Sequence, residues 1–213
     1  MLRILIADDH DLMRRGLRSI LESSGCIVCG EAATGREAVE KAAQLRPDIA
    51  ILDIAMPELN GLDAARRIRK EWPKTEILIL SAHYSDQLTK EIIDAGIRGY
   101  VVKSDADRDL PRAVETLSKH QPFITPLATG TIHESLTEAV SGAAEPKDCQ
   151  LSSRQREILQ LLAEGKSSKE VASALNISTK TADTHRANIM RKLGAHTVAE
   201  LVRYAVRHTI IEP

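Results

Sequence analysis

Aromatic side chains are nearly missing from this 213-residue chain, which has one Trp, three Tyr and one Phe, 2% of the sequence. That scarcity excludes an aromatic cage for a cation, and platforms that stack single-stranded DNA or RNA bases on rings. Long apolar runs are missing too, all falling far below the ~18–20 residues of a membrane span. The N-terminal stretch Met1-Leu-Arg-Ile-Leu-Ile-Ala-Asp8-Asp9 is not a signal peptide, because carboxylates cut its apolar run short. Cysteine is scarce and odd in number, three in all, which fits a reducing cytosol and no disulfide framework. Cys26 and Cys29 form a C-x-x-C, but Cys-Ile-Val-Cys reads as a strand, where residues three apart point to opposite faces. They are read as small, half-buried strand residues.

What remains is ordinary for a folded protein of one or two domains, with 43% apolar and 28% charged residues. The formal net charge of −1 hides an asymmetry. Residues 147–213 hold 11 Lys+Arg against 7 Asp+Glu, net +4, and the rest holds 18 against 23, net −5. An acidic first part and a basic second part suggest two jobs, and opposite charge permits the two to dock on each other.

Over residues 1–120 short apolar runs alternate with amphipathic stretches. Strands are predicted at 3–7, 26–32, 49–52, 77–81 and 99–102. Helices are predicted at 12–22 with Asp11 as N-cap, then 35–45, 62–72, 86–95 and 108–119, with Pro111 placed in the first turn of the last. Such alternation gives a doubly wound α/β fold with a five-stranded parallel sheet. Residues 121–146, punctuated by Pro and Gly, read as a linker with room for a short helix at 133–140. Residues 147–213 show only helical periodicity. An all-α four-helix unit is predicted, capped at Ser152 or Ser153, with helices ending near 164, at 168–175, at 179–193 and at 197–207.

In a doubly wound sheet, ligands bind beyond the carboxyl ends of the strands at the switch point. The residues that fall there are Asp8 and Asp9, Asp53, Ser81 and Lys103. Gathered carboxylates repel one another, and a hard divalent cation such as Mg²⁺ relieves them. Lys103 then offers charge to a phosphoryl group, Ser81 a hydrogen bond, and Asp53 a nucleophile. An Asp pair after a strand also serves simply to cap the next helix, but its coincidence with Asp53, Ser81 and Lys103 favours the site.

The motifs Ile-Ala-Asp8-Asp9-His, Leu-Asp53-Ile-Ala-Met56-Pro57, Leu-Ser81-Ala82 and Gly99-Tyr100-Val-Val-Lys103 resemble the flavodoxin-like receiver domain of bacterial two-component response regulators. The resemblance implies Asp53 as phosphoryl acceptor and Asp9, Asp53 and the Ala55 carbonyl as Mg²⁺ ligands, with Asp8 acting through water. It also implies Ser81 and Tyr100 as the switch pair. Ser81 stands where Thr is commoner, and Ser104 where many receivers have Pro. The rival family of haloacid-dehalogenase-type phosphotransferases wants a second Asp two residues after the nucleophile. Ala55 occupies that position and leaves no general acid, so the chain is expected to hold a phosphoryl group as a signal and not to act as an enzyme.

The basic unit reads as helix-turn-helix, with the turn at Asn176-Ile-Ser178. Lys180, Thr181, Asp183, Thr184, Arg186, Asn188, Arg191 and Lys192 share the outer face of its second helix, while Ala182, His185, Ile189 and Leu193 turn inward. The stretches Leu151-Ser-Ser-Arg-Gln-Arg-Glu157, Gly165-Lys-Ser-Ser-Lys-Glu170 and His185-Arg-Ala-Asn-Ile-Met-Arg-Lys-Leu193 resemble the LuxR-type DNA-binding domain. The whole chain thus resembles the NarL/FixJ response regulators. That implies DNA contacts from Lys180, Thr181, Asp183, Thr184, Arg186, Asn188 and Lys192, the charged and amide groups mainly gripping phosphates. Asp183 departs from the lysine of some members and Ala182 from a more usual valine. Val198, Leu201, Val202 and Ala205 form an apolar stripe for pairing two modules on DNA. A sensor histidine kinase, promoter DNA and RNA polymerase are the implied partners of a cytoplasmic transcription regulator. An orphan regulator that binds DNA without phosphorylation is the alternative.

Overall fold

A computed structural model describes residues 1–125, 151–208 and 210–211. The first unit alternates β1 (Arg3–Ala7), α1 (Asp11–Ser23), β2 (Ile27–Ala32), α2 (Gly35–Leu45), β3 (Ile49–Asp53), α3 (Gly61–Glu71), β4 (Glu76–Ser81), α4 (Asp86–Asp94), β5 (Gly99–Val102) and α5 (Ala106–Ser118). The sheet runs β2-β1-β3-β4-β5-β6, with every neighbouring pair parallel. The two-residue period of the strands builds two cores. Leu5, Ala7, Ala50, Leu52, Ile77 and Ile79 pack under α2, α3 and α4. Ile4, Ile6, Ile49, Ile51, Leu78 and Leu80 pack under α1 and α5. The central strands are therefore buried on both faces, as a parallel sheet requires.

Three expectations change. A sixth strand, β6 (Phe123–Ile124), pairs with Gly99 and Tyr100, so the sheet extends into residues read as linker. A two-residue strand is too short to show an alternating pattern. Pro111 lies in the second turn of α5, not the first, because the helix starts at Ala106 after a 3-10 turn at Lys103–Asp105. The N-cap of α1 is His10 and not Asp11, which sits in the first turn and pairs with Arg14 and Arg15. The helix considered at 133–140 and Cys149 fall outside the described residues. Cys26 precedes β2 and only Cys29 lies in it. Both are half-buried, and burial raises both thiols above their ordinary range.

The second unit comprises α6 (Ser153–Ala163), α7 (Ser168–Ala174), α8 (Thr179–Leu193) and α9 (Val198–Arg207). Ser152 and Ser167 each close a capping box, with Gln155 and Glu170, so local sequence fixes both starts. Gly165 and Gly194 take left-handed backbone after α6 and α8. Ile158, Leu159, Leu162, Val171, Ala182, Ile189, Leu201 and Ala205 form its core.

Candidate phosphoryl site and DNA-binding face

The strand order reverses about β1 and β3, and the carboxylates gather beyond their carboxyl ends. Asp8 follows β1 and is fully buried, and Asp53 ends β3 with 1% exposure. Lys103, the residue after β5, reaches between them, with Nζ 2.8 Å from Asp8 Oδ2 and 2.9 Å from Asp53 Oδ1. Lys103 is the cation that these two buried oxygens share, at ion-pair and hydrogen-bond distance from both. Burial pushes the Asp53 carboxyl up to about 6, against the pull of Lys103 and with the help of Asp8 and Asp9. For Lys103, burial acts to lower the ammonium, but contact with Asp53 and Asp8 outweighs it and holds the group above its ordinary value.

Asp9 is exposed at the mouth of the site. Sequence reasoning passed over its neighbour His10, whose Nδ1 lies 2.8 Å from Asp9 Oδ1 and whose amide donates to Asp8 Oδ1 at 2.8 Å. Ligand atoms of Asp8, Asp9, His10 and Asp53 all lie within 4.8 Å of one another, so the acidic cluster is able to hold a metal ion. Its hard, oxygen-rich donor set suits a small divalent cation.

Close approach of α3 shapes the back of the site. A Cβ on Gly61 would stand 1.9 Å from the Asp53 carbonyl oxygen, so only glycine lets α3 start against the end of β3. The intervening loop is pinned by Ile54 N donating to Leu80 O and Gly61 N donating to Ile54 O, both at 2.9 Å. It turns through Glu58 at φ 67°. Ala55 is half-buried within this loop.

Ser81 ends β4 and Tyr100 lies in β5, both buried. The Ser81 hydroxyl donates to the His83 carbonyl at 2.8 Å, and the Tyr100 hydroxyl donates to the same oxygen at 3.2 Å. Burial raises the Tyr100 phenol above its ordinary value.

In the second unit, α8 exposes Lys180, Thr181, Asp183, Thr184, Arg191 and Lys192, with Arg186 and Asn188 half-buried. Several of these are engaged locally: Thr181 bonds Ser178, Thr184 donates to the Lys180 carbonyl at 2.8 Å, and Arg191 donates to the Asn188 side-chain oxygen. Ala182 and Ile189 face the core as expected, and His185 is half-buried. The apolar stripe of α9 divides. Leu201 and Ala205 are wholly buried in the module's own core, which withdraws them from a pairing surface, whereas Val198 is 39% exposed and Val202 half-buried.

Two family models cover both units. One for the response regulator receiver domain matches residues 4–115, and one for bacterial regulatory proteins of the luxR family matches residues 149–205. The chain belongs to the LuxR-family two-component response regulators. It is 34% identical to the transcriptional regulatory protein MctR of Rhizobium johnstonii, over 99% of this chain and 95% of that protein. It is 33% identical to the response regulator VraR of Staphylococcus aureus, over 99% of both. Among solved structures, RcsB of Salmonella typhimurium superposes with TM-score 0.65 at 26% identity, over 97% of this chain and 98% of that one. An RcsB–DNA complex matches with TM-score 0.58 at 28% identity, over 95% and 96%. A receiver domain thus brings a histidine kinase as partner, and a LuxR domain brings DNA. No described helix of the regulator is long and apolar enough to cross a membrane.

The regulator's two domains are docked, and sequence reasoning missed the residues that join them. Glu157 of α6 is fully buried, with its carboxylate 3.0 Å from Arg36, 2.8 Å from Arg67 and 2.9 Å from Arg154. Arg156 Nε lies 3.1 Å from Asp63 Oδ1. Gln160, 1% exposed, donates through Nε2 to the Met56 carbonyl at 2.8 Å, and its Oε1 accepts from Asn60 N at 2.8 Å. Glu164 Oε1 accepts from Glu58 N at 3.1 Å and from Gln160 Nε2 at 2.8 Å. Gln87 of α4 meets His208, just past α9, at 2.8 Å. Docking agrees with the charge asymmetry, and the Arg156–Asp63 pair follows it, but the signs around Glu157 are reversed. The acidic domain contributes Arg36 and Arg67, and the basic domain contributes Glu157 and Glu164. Net charge acts through a screened field, whereas docking is settled by pairs at contact distance.

Proposed function

We propose that Asp53 accepts a phosphoryl group from a sensor histidine kinase and that this event governs binding of promoter DNA through α8. The observation that carries the reading is the buried Asp53 carboxylate at the end of β3, facing the Lys103 ammonium at 2.9 Å beside Asp8. An Asp53 oxygen attacks phosphorus, the bond from phosphorus to the kinase imidazole breaks, and its electron pair returns to that nitrogen, leaving an acyl phosphate on Asp53.

Mg²⁺ would be held by Asp9, Asp53 and the Ala55 carbonyl, with Asp8 acting through water, and would neutralise the phosphoryl oxygens. Lys103 offers its charge to those oxygens. The Ser81 hydroxyl leaves the His83 carbonyl to donate to the new phosphoryl group, and Tyr100 adjusts its own bond to that carbonyl. Ala55 supplies no acid for turnover, so the phosphoryl group is lost slowly and the chain is not an enzyme in the ordinary sense.

Phosphorylation then favours separation of α6 from the receiver. The freed module pairs with a second copy through the exposed part of α9, and Lys180, Arg186 and Lys192 grip DNA phosphates while Thr184 reaches a base edge. RNA polymerase is the downstream partner, in the cytoplasm. Labelling with a radioactive small phosphodonor and Mg²⁺ tests the acceptor. The wild type is expected to take up label and Asp53→Ala none; equal labelling of the two overturns the assignment.

A further inference from the structure

The amide of Gln160 belongs to the DNA-binding domain, but its two interdomain bonds are spent on receiver backbone. It donates to the carbonyl of Met56 and accepts from the amide of Asn60, four residues further on, as a backbone peptide would. These two groups sit in the loop between Asp53 and α3. Met56 and Asn60 are almost fully buried, and among the described residues no other hydrogen bond is recorded for the Met56 carbonyl or the Asn60 amide. The same loop contains Ala55, whose carbonyl is the backbone ligand in the reading above. Gln160 therefore holds the segment that begins at the phosphoryl acceptor, from the far side of a domain interface.

We propose that Gln160 is a positioning residue for phosphoryl transfer: it locks the Met56–Asn60 loop in its resting form, so the docked DNA-binding domain restrains chemistry at Asp53. The sign rests on the reading that phosphorylation favours undocking. Coupling between two equilibria is reciprocal, so if phosphorylation weakens docking, docking weakens phosphorylation by the same factor, and the Mg²⁺ needed to drive phosphoryl uptake reads that factor out. Of the other interface pairs, those of Glu157 and Arg156 engage side chains on α2 and α3, and that of His208 engages Gln87 on α4. Among the described residues of the second domain, only Gln160 and Glu164 bond the backbone of this loop.

The test uses the full chain and compares Gln160→Leu and Gln160→Glu with the wild type. Leu keeps the bulk and removes both bonds. Glu keeps the acceptor for Asn60 N but sets a carboxylate oxygen against the Met56 carbonyl. Thermal melts establish that each variant folds. Two measurements follow: the radius of gyration by small-angle X-ray scattering, and the Mg²⁺ concentration for half-maximal phosphoryl uptake from acetyl phosphate. Both variants are expected to be more extended without phosphodonor and to reach half-maximal uptake at about fivefold less Mg²⁺. A merely structural Gln160 would leave that midpoint where it is. If the wild type extends on phosphorylation but the variants keep its midpoint, the restraint is overturned. If the wild type takes up phosphate without extending, the release reading itself fails, and the expected sign fails with it.

Discussion

Ser81 and Tyr100 donate to one and the same acceptor, the carbonyl of His83, at 2.8 and 3.2 Å. The loop after β4 is thus tied to both members of the switch pair, and moving the Ser81 hydroxyl toward a phosphoryl group leaves Tyr100 as the remaining side-chain donor. Tyr100→Phe removes one neutral hydrogen bond and is expected to cost about 1 kcal/mol of folding stability. Ser81→Ala is expected to keep phosphoryl uptake, at a reduced rate, while losing the coupled change in DNA affinity. Urea melts and paired uptake and binding assays check the two variants; a Ser81→Ala chain whose DNA affinity still responds fully to phosphodonor would remove Ser81 from the switch.

Gly61 allows α3 to begin against Asp53. In Gly61→Ala the new methyl would overlap the Asp53 carbonyl oxygen, a backbone atom with no room to yield. Destabilisation of about 1–3 kcal/mol is expected, with slower phosphoryl uptake because β3 and the loop must shift. Denaturant midpoints and initial labelling rates measure both, and an Ala variant with wild-type values for each would contradict the packing argument.

The raised Asp53 carboxyl has two consequences of opposite sign. An unfolded aspartate titrates near ~3.9, so between about 4 and the folded value of about 6 the folded chain keeps a proton that the unfolded chain releases. The Asp53 contribution to stability is therefore lost as pH rises through that window and is level above it. Reactivity runs the other way, because only the ionised carboxylate attacks. At low fixed Mg²⁺, initial uptake from a small phosphodonor is expected to fall below about pH 6, and more Mg²⁺ should move the fall to lower pH. A rate independent of pH from 5 to 8 would contradict this.

Lys103→Met removes the ammonium and leaves Asp8 and Asp53 buried without their shared partner. The variant is expected to melt earlier than the wild type at pH 7, with a smaller deficit at pH 5, where Asp53 is protonated in both. Calorimetry at the two pH values decides; an equal deficit at both would show that Lys103 acts by packing instead of charge.

Arg186 is half-buried on α8 among the exposed basic residues. Arg186→Ala is expected to weaken binding to duplex DNA of any sequence and to reduce the slope of log affinity against log salt by about one. Loss confined to a single sequence would make Arg186 a base reader.

Much of the receiver was legible in the sequence because its signals are local. Strand ends carrying Asp8, Asp53, Ser81 and Lys103 mark the site, and the strands at 3–7 and 99–102 and the helix at 35–45 emerge with the expected bounds. The capping serines and closing glycines did the same for the second domain. What escaped depends on distant chain. Glu157 and Gln160 on α6, with Glu164 just past its end, lie at helical spacing, and nothing in the sequence marks that face as docked, but Arg36, Arg67 and the Met56 and Asn60 backbone cover the first two. No periodicity separates a polar face that meets water from one that meets another domain. Likewise the α9 stripe could not be divided until Leu201 and Ala205 were found in the core. The sharing of His83 by Ser81 and Tyr100 runs through a backbone carbonyl, to which residue identity is blind.

The central claim is that phosphorylation of Asp53 controls DNA binding. Its most direct test is the affinity of the full chain for duplex DNA selected from a random pool, measured at fixed salt with and without phosphodonor and Mg²⁺. The wild type is expected to bind more tightly when phosphodonor is present, and Asp53→Ala to bind equally in both conditions; a wild type whose affinity ignores phosphodonor while Asp53 is demonstrably labelled would contradict the account.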